Sequence, residues 1–396
     1  MPRRKLSADE VVRTLRVRLK DKHAGALREM ARAVNLTWNY CNDLSGQILR
    51  CERRFASSEE LQRHLNGASK EGLCVGSAVF QQVAEEYVTR RRQFKRAKLR
   101  WRVSSGPRRS LGWIPFKARS LSYSGGQVRF QGLALSLWDS WGLHQFELGS
   151  GSISEDARGR WYLNVCVTVK KAASPKPALH HQAPDFSDFA GTGALGIDLG
   201  LKDFMTDSGG NKVEAQRFYR DLEQALGCAQ RAGKKGRVRA LHAKISNRRK
   251  DFLHKLSGQQ VRDNVVIIVG DVNAAALART KMAKSVLDAG WSAYRTMLQY
   301  KCDGAGRWFR QVDEAFSTQD CHACAARTGP KGLSGLGTRK WTCSSCGVEH
   351  ERDHNSALNI RARGLRLLFE ETQAHAPGSG STVGGFEARA PADTVE

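Results

Sequence analysis

Cys321-His322-Ala323-Cys324 and Cys343-Ser344-Ser345-Cys346, followed shortly by Arg352-Asp353-His354-Asn355, decide how this chain is read. Eighteen residues separate the two pairs. Zinc takes four thiolates in a tetrahedron, and each C-x-x-C turn offers two sulfurs from one tight knuckle. Gly329-Pro330, Gly332, Gly335 and Gly337 lie between the pairs. A loop of that composition cannot bury a core, so a metal is the expected staple. The competing reading is two disulfides. The chain opens Met1-Pro2-Arg3-Arg4-Lys5 with no apolar run behind it, so no signal peptide is read. A cytoplasmic setting with reduced thiols is therefore expected. Cys321, Cys324, Cys343 and Cys346 are the expected zinc ligands. Cys41, Cys51, Cys74, Cys166, Cys228 and Cys302 are scattered and read as ordinary side chains.

Charge points to the partner. Lys and Arg number 64 against 39 acidic residues in 396, a formal charge of +25. Such an excess calls for a polyanion. No segment reaches the roughly 18 apolar residues of a membrane span, so nucleic acid is preferred over lipid. The 9 Trp and 15 Phe argue for a folded chain rather than a basic disordered one.

Residues 11–20 alternate apolar and basic, which predicts a strand with one apolar and one cationic face. Helical periodicity takes over from about Ala24 to Leu49, from Ser58 to Leu65, and again from Ala78. That last stretch ends in Arg90, Arg91, Arg92, Lys95, Arg96, Lys98, Arg100, Trp101 and Arg102, cations interleaved with aromatics. Nucleic-acid contact is the favoured reading over a solvated helix end. Short strands with glycine turns follow over 113–170, at Ser120–Tyr123, Gln127–Phe130, Leu133–Leu137, His144–Leu148 and Trp161–Lys170. With the N-terminal strand they suggest a small barrel interrupted by the helices. Residues 171–193 read as a linker, and the Gly/Ser-rich end as disordered.

Ala194-Leu195-Gly196-Ile197-Asp198-Leu199-Gly200 is an apolar strand holding one Asp. A buried strand has no structural use for a carboxylate unless it binds something. A hairpin return is expected over Leu201–Val213, a helical region over Ala215–Ser257 with a break at Gly233–Gly236, and a buried strand at Val265–Val269. A helix over Ala283–Gln299, a strand at Trp308–Val312 and a helix over Ser356–Phe369 complete the order. This is an α/β, RNase H-like layout with a zinc ribbon inserted. Acids on adjacent strands and on a following helix suit a pair of Mg²⁺ ions, which take hard oxygen ligands. Asp198 and Asp353 are the first candidates. Their structural alternatives are a turn-satisfied buried Asp and a helix N-cap.

The stretches Gly196–Gly200, Asp263–Asn273, Lys284–Trp291, the Cys pairs with Trp341–Gly347, and Arg352–Ile360 resemble the TnpB proteins of bacterial insertion sequences. The resemblance is specific over about 194–362 and looser over the N-terminal half. It implies an RNA-guided DNA endonuclease with a RuvC-like core, related to type V CRISPR effectors. Its partners would be a guide RNA and target double-stranded DNA beside a short flanking motif, in a prokaryotic cytoplasm. It also implies a β-barrel-like wedge domain (1–22 and 105–172) interrupted by a helical recognition domain (23–104). The linker would cover 173–193, the nuclease domain 194–316 and 351–372, the ribbon 317–350, and the tail 373–396. One departure matters. The family's second acid is usually a Glu at the end of the second strand, where this chain has Gly270. Asp271, one residue on, is the alternative second acid, although a one-residue shift points to the other face unless the strand has ended there. Glu314, at the end of the next strand, is the preferred second acid, as in relatives whose Glu has moved there. Asp313 and Glu351 read as bystanders, and His322 and His350 as surface or phosphate contacts. A silenced guided binder, a DNA transposase and a plain zinc-ribbon regulator are the alternatives.

Overall fold

β1 (Glu10–Leu19) buries Leu15, Val17 and Leu19 and exposes Thr14 and Arg16, the two-faced strand its alternation requires. The computed structural model describes residues 6–7, 9–68, 72–170, 193–280, 282–332 and 334–374. The expected linker, apart from Gly193, and the expected tail beyond Ala374 lie outside the described residues. The chain divides into two compact units, one within 1–172 and 222–244, the other within 173–221 and 245–396.

In the first unit, β1 pairs antiparallel with β7 (Trp161–Lys170) along its whole length and with β5 (Leu133–Trp138) at its end. Adding β2 (Trp113–Phe116), β3 (Ser122–Ser124), β4 (Gln127–Phe130) and β6 (Leu148–Glu155) gives a seven-stranded antiparallel sheet, order β2-β6-β7-β1-β5-β4-β3. It curls into a half-barrel with free edges at β2 and β3, where a small barrel was expected. Helices α1 (Ala24–Glu52), α2 (Ser58–His64) and α3 (Ser77–Phe94) share its core, where Leu27, Val34, Phe80 and Tyr87 join Leu15, Val17, Leu163 and Val165. The strand expected at His144–Leu148 is displaced: 143–145 form a 3-10 turn, and β6 begins at Leu148. Glycine weakens strand propensity and so hid this strand. Gly151 is required because a Cβ there would fall 2.0 Å from the Asn164 carbonyl oxygen.

In the second unit, β8 (Ala194–Leu199), β9 (Asp203–Asp207), β10 (Lys212–Glu214), β11 (Val266–Gly270) and β12 (Trp308–Val312) form a mixed sheet, order β10-β9-β8-β11-β12. β8, β11 and β12 run parallel, while β9 and β10 are antiparallel additions. β11 is buried throughout, as a central parallel strand is. On one face Trp291, Tyr294 and Leu298 pack on Ile197, Phe204 and Val269. On the other, Ile360, Leu365 and Leu368 of α9 (Arg352–Ala374) pack on Ile268. Two glycines allow that approach. A Cβ on Gly196 would lie 2.3 Å from the Ala357 carbonyl, and one on Gly364 would lie 2.5 Å from Ile268.

Three expectations need correction. After the single turn α6 (Ala274–Leu277), the helix expected over Ala283–Gln299 is two helices, α7 (Ala283–Ala289) and α8 (Trp291–Ala305), parted by Gly290 at φ 71°. The left-handed glycine ends one helix as the next begins. Helix α9 starts at Arg352, so Asp353 sits inside its first turn rather than capping it from outside. Helices α4 (Arg220–Arg231) and α5 (Lys235–Asp263) turn about Gly233, and residues 222–244 group with the N-terminal unit rather than with 194–316. The glycine break reveals a turn but not which core its helices join. Among the described residues, no helix is long and apolar enough to cross a membrane.

Candidate active site

Asp198, Glu314 and Asp353 line one cavity of about 530 Å³ at the carboxyl ends of the parallel strands. Asp198 comes from β8, Glu314 from the loop just past β12, and Asp353 from the first turn of α9. The wall also includes Thr206, Trp291, Ser317 and Arg339 with the Leu199–Asp203 turn. Asp271 does not line the cavity. It is exposed, and its carboxylate accepts the Glu314 backbone N–H at 3.3 Å. Asp313 accepts the Ala315 N–H at 2.8 Å, and Glu351 pairs with Lys212 at 2.6 Å, so both neighbours of the chosen acids face elsewhere.

The register explains how Glu314 reaches the cavity. Gly270 pairs with Val312, so β11 and β12 end level with each other. The side chain of Glu314 then lies over Gly270: a Cβ there would fall 2.8 Å from Glu314 Oε2 and 3.3 Å from its Cβ. The space that a side chain on Gly270 would enter holds the Glu314 carboxylate.

These carboxylates are electrostatically uncomfortable. Burial pushes the Asp198 pKa up to about 8; the Ser356 hydrogen bond opposes the shift, and Asp353 and Glu314 add to it. Burial likewise pushes Glu314 up to about 7, with Asp271 adding and Arg295 opposing. Ser356, fully buried, donates from Oγ to Asp198 Oδ1 at 2.9 Å, and Ser317 Oγ lies 2.7 Å from Ser356 Oγ. Arg339 donates to both Asp353 oxygens, at 2.9 and 3.2 Å. Ser317, Ser356 and Arg339 were not singled out from sequence. For Ser356 alone the sequence holds a signal that could have found it, its place one helical turn after Asp353.

The four sulfurs of Cys321, Cys324, Cys343 and Cys346 lie within 4.8 Å of one another. Cys321–Cys346 and Cys324–Cys343 are 3.7 Å apart. A disulfide needs about 2.05 Å, whereas a zinc tetrahedron with bonds of about 2.3 Å places its sulfurs about 3.8 Å apart. All four cysteines are free thiols, and Thr328 Oγ1 donates to Cys343 Sγ at 3.2 Å. The donor set fits zinc. Among the described residues only these thiols gather so tightly, while the three carboxylates ring a cavity. Strands β13 (Lys340–Thr342) and β14 (Glu349–Glu351) pair beneath the cluster and lead straight into α9. Asn355 and Asn359 fasten the junction by donating to the carbonyls of Ser317 and Asp320 at 2.7–3.1 Å. His350 is not at the surface as expected. It is 4% exposed, packs on Trp341, and places Nε2 3.0 Å from Cys321 Sγ.

The basic run is only partly a surface. Helix α3 ends at Phe94, and Lys95 adopts φ 50°. Arg91 is buried, donating to Ser45 Oγ and to the Ala56 carbonyl, so it cannot present its charge as expected. Its position on the inner stripe of α3 dictates this. Arg102 is half-buried and donates to Asn35 Oδ1 at 2.6 Å and the Leu111 carbonyl at 2.7 Å. Arg90 pairs with Glu86 at 2.6 Å. Arg92, Lys95, Arg96, Lys98, Arg100 and Trp101 remain exposed, with Lys98 Nζ 5.2 Å from the Trp101 ring.

A half-barrel with helices, a mixed α/β sheet and a four-cysteine insert define a Cas12f-like fold. The chain superposes on Cas12f1, solved in an sgRNA–target DNA complex, with TM-score 0.56 and 9% identity over 89% of this chain and 99% of that one. Residues 184–281 match the OrfB_IS605 family model, described as "Probable transposase", and residues 291–360 match the Cas12f1-like TNB domain. Over these two stretches the chain is similar to the OrfB (IS605) transposase family and to the Cas12f-like TNB domain. It is 35% identical over 228 residues to a Streptomyces pristinaespiralis protein named "Putative RNA-guided DNA endonuclease", covering 54% of this chain and 52% of that one. It is 25% identical over 238 residues to InsQ of Escherichia coli K12, which bears the same description, covering 53% and 55%. The match thus spans about half the length of these relatives.

Proposed function

We propose that this protein is an RNA-guided DNA endonuclease that hydrolyses DNA phosphodiesters with Asp198, Glu314 and Asp353. On this reading the mixed sheet is an RNase H-like (RuvC) core. The half-barrel and its helices are the wedge and recognition domains, and the four-cysteine insert is a zinc ribbon. One observation carries the reading: three carboxylates from separate elements ring one cavity, and Glu314 fills the place left by Gly270.

The donor set fits a hard divalent cation. Burial and the neighbouring carboxylates push the pKa values of Asp198 and Glu314 toward neutrality, a strain that a bound cation would relieve, and oxygen ligands suit Mg²⁺. When bound, a pair of Mg²⁺ ions supplies an activated water and charge neutralisation at the leaving oxygen. The protein's own part is to hold oxygens in place. Ser356 fixes one oxygen of Asp198, and Arg339 orients Asp353 from the ribbon. The exposed cations from Arg92 to Arg100 would neutralise the backbone of a guide–target duplex, with base pairing choosing the sequence.

The silenced-binder alternative rests on Gly270, and the Glu314 side chain lying over that glycine supports the nuclease reading in its place. The test is to purify the protein with its native flanking DNA co-expressed, sequence any bound RNA, and assay Mg²⁺-dependent cutting of a matched plasmid library. Cutting beside a fixed motif, lost in Asp198→Ala and Glu314→Ala, is the expected result. Bound RNA and specific target binding without cutting would overturn the nuclease reading.

A further inference from the structure

The two buried sulfurs of the four-cysteine cluster each meet a side chain with a proton to give. Cys321 and Cys343, the first cysteine of each knuckle, are buried, whereas Cys324 and Cys346 are exposed. His350 Nε2 lies 3.0 Å from Cys321 Sγ, and Thr328 Oγ1 lies 3.2 Å from Cys343 Sγ. Among the described residues, the exposed pair has no side-chain donor other than another cysteine. His350 is held in place for its contact. It stands opposite Trp341 in the β13–β14 pair, with ring centroids 4.5 Å apart, and the His322 ring meets it edge-on at 5.0 Å. A buried imidazole needs a hydrogen-bond partner, and Cys321 Sγ is the only one this ring has among the described residues.

A metal-bound thiolate has no proton, so it can only accept. The imidazole therefore donates from Nε2–H and the threonine from its hydroxyl. Four thiolates around one Zn²⁺ carry more negative charge than the ion cancels. Water screens the excess at an exposed sulfur, but at a buried one a protein donor must do so. His350 and Thr328 stand at the two sulfurs that are closed to water. They are not ligands themselves: among the described residues, the donor atoms that gather within 4.8 Å are those of the four cysteines. We propose that His350 and Thr328 form an outer shell of the zinc site, each stabilising one buried thiolate by a donated hydrogen bond and so tightening the hold on the metal. The proposal rests on the zinc reading above and adds to it two positioning residues that set how firmly the ion is kept.

The test uses the full chain loaded with zinc and reads affinity by competition with a coloured chelator. His350→Phe keeps the ring packing and loses the donor, and Thr328→Val keeps the shape and loses the hydroxyl. Each should weaken zinc binding about 10–100-fold, as loss of an outer-shell partner does. His350→Gln, whose amide N–H reaches as far as Nε2, should recover most of that loss. With Co²⁺ in place of zinc, the sulfur-to-metal charge-transfer band should move to longer wavelength in His350→Phe and Thr328→Val, because a thiolate without its donor gives up electrons more readily. Wild-type zinc affinity in either variant would overturn the proposal. So would weakened binding with an unmoved cobalt band, the mark of a packing role. Thr328 is half-buried in a loop, so its variant keeps the test open should His350→Phe disturb the fold. A wild type that holds no zinc would sink the zinc reading as well, whereas tight zinc in the wild type and both variants would sink this proposal alone.

Discussion

Glu314 lies over Gly270, with its Oε2 2.8 Å from where a Cβ on that glycine would be. The two positions share one space, and only one of them can hold the acid. Gly270→Glu alone should therefore abolish cutting, because two carboxylates would crowd a buried pocket that already raises the Glu314 pKa. Glu314→Ala should cost at least about 100-fold in rate, as loss of a metal-holding carboxylate does. The double variant Gly270→Glu/Glu314→Ala should cut where both single variants do not. Cleavage rates of the three variants on one matched target check this. A double variant as inactive as the singles would refute the shared-space argument.

Asp198 makes the metal-free protein sensitive to pH. Its pKa is about 8 when folded, against an ordinary value near 3.9 when unfolded. Between those values the folded state holds a proton that the unfolded state lacks, so stability falls as pH rises through that window. Glu314, at about 7, acts in the same direction. In EDTA at pH 8.5, Asp198→Asn should raise the melting temperature, by about 2–4 °C for each kcal/mol relieved. Added Mg²⁺ should stabilise the wild type and do little for the variant. Thermal melts of both proteins across pH, with and without Mg²⁺, decide it.

Ser356 donates to Asp198 and so favours its charged form. Ser356→Ala removes that bond and should raise the Asp198 pKa further. The acid limb of the rate–pH profile should then move to higher pH, with the plateau reduced about tenfold or less. A role confined to packing would lower the rate equally at every pH.

The elements around the site were legible because their signals are local. An apolar strand carrying one Asp, the two C-x-x-C knuckles and the amphipathic face of α9 each announce themselves within a few residues. Contacts made at long range were not legible. Arg91 looks like its exposed neighbours, and only the packing of α3 against α1 shows that Ser45 and the Ala56 carbonyl hold it inside. Arg339 lies in a glycine-rich loop, and nothing near it in sequence points to Asp353. His350 reads as a surface residue until the ribbon closes it over Cys321. Glu314 lay between these cases. Its place at a strand end could be read, but its contact with Gly270 depends on the parallel register of β11 and β12.

The four-cysteine insert and the cavity are mechanically joined, so stripping its metal should reach the proposed active site. Arg339 grips Asp353 from the ribbon, and the Asn355 amide ties α9 to the carbonyls of Ser317 and Asp320 beside Cys321. Without a metal the glycine-rich loop has little core to hold it. Chelation, or Cys343→Ser, should release about one zinc per chain and lower cutting sharply, while the half-barrel unit stays folded. Arg339→Ala in the zinc-loaded protein should reproduce part of the activity loss without losing metal. Metal content by mass spectrometry, limited proteolysis of the ribbon and cleavage rate together separate these effects. If chelated protein cut at the wild-type rate, the coupling would be refuted, because neither Arg339 nor Asn355 would then be setting the position of Asp353.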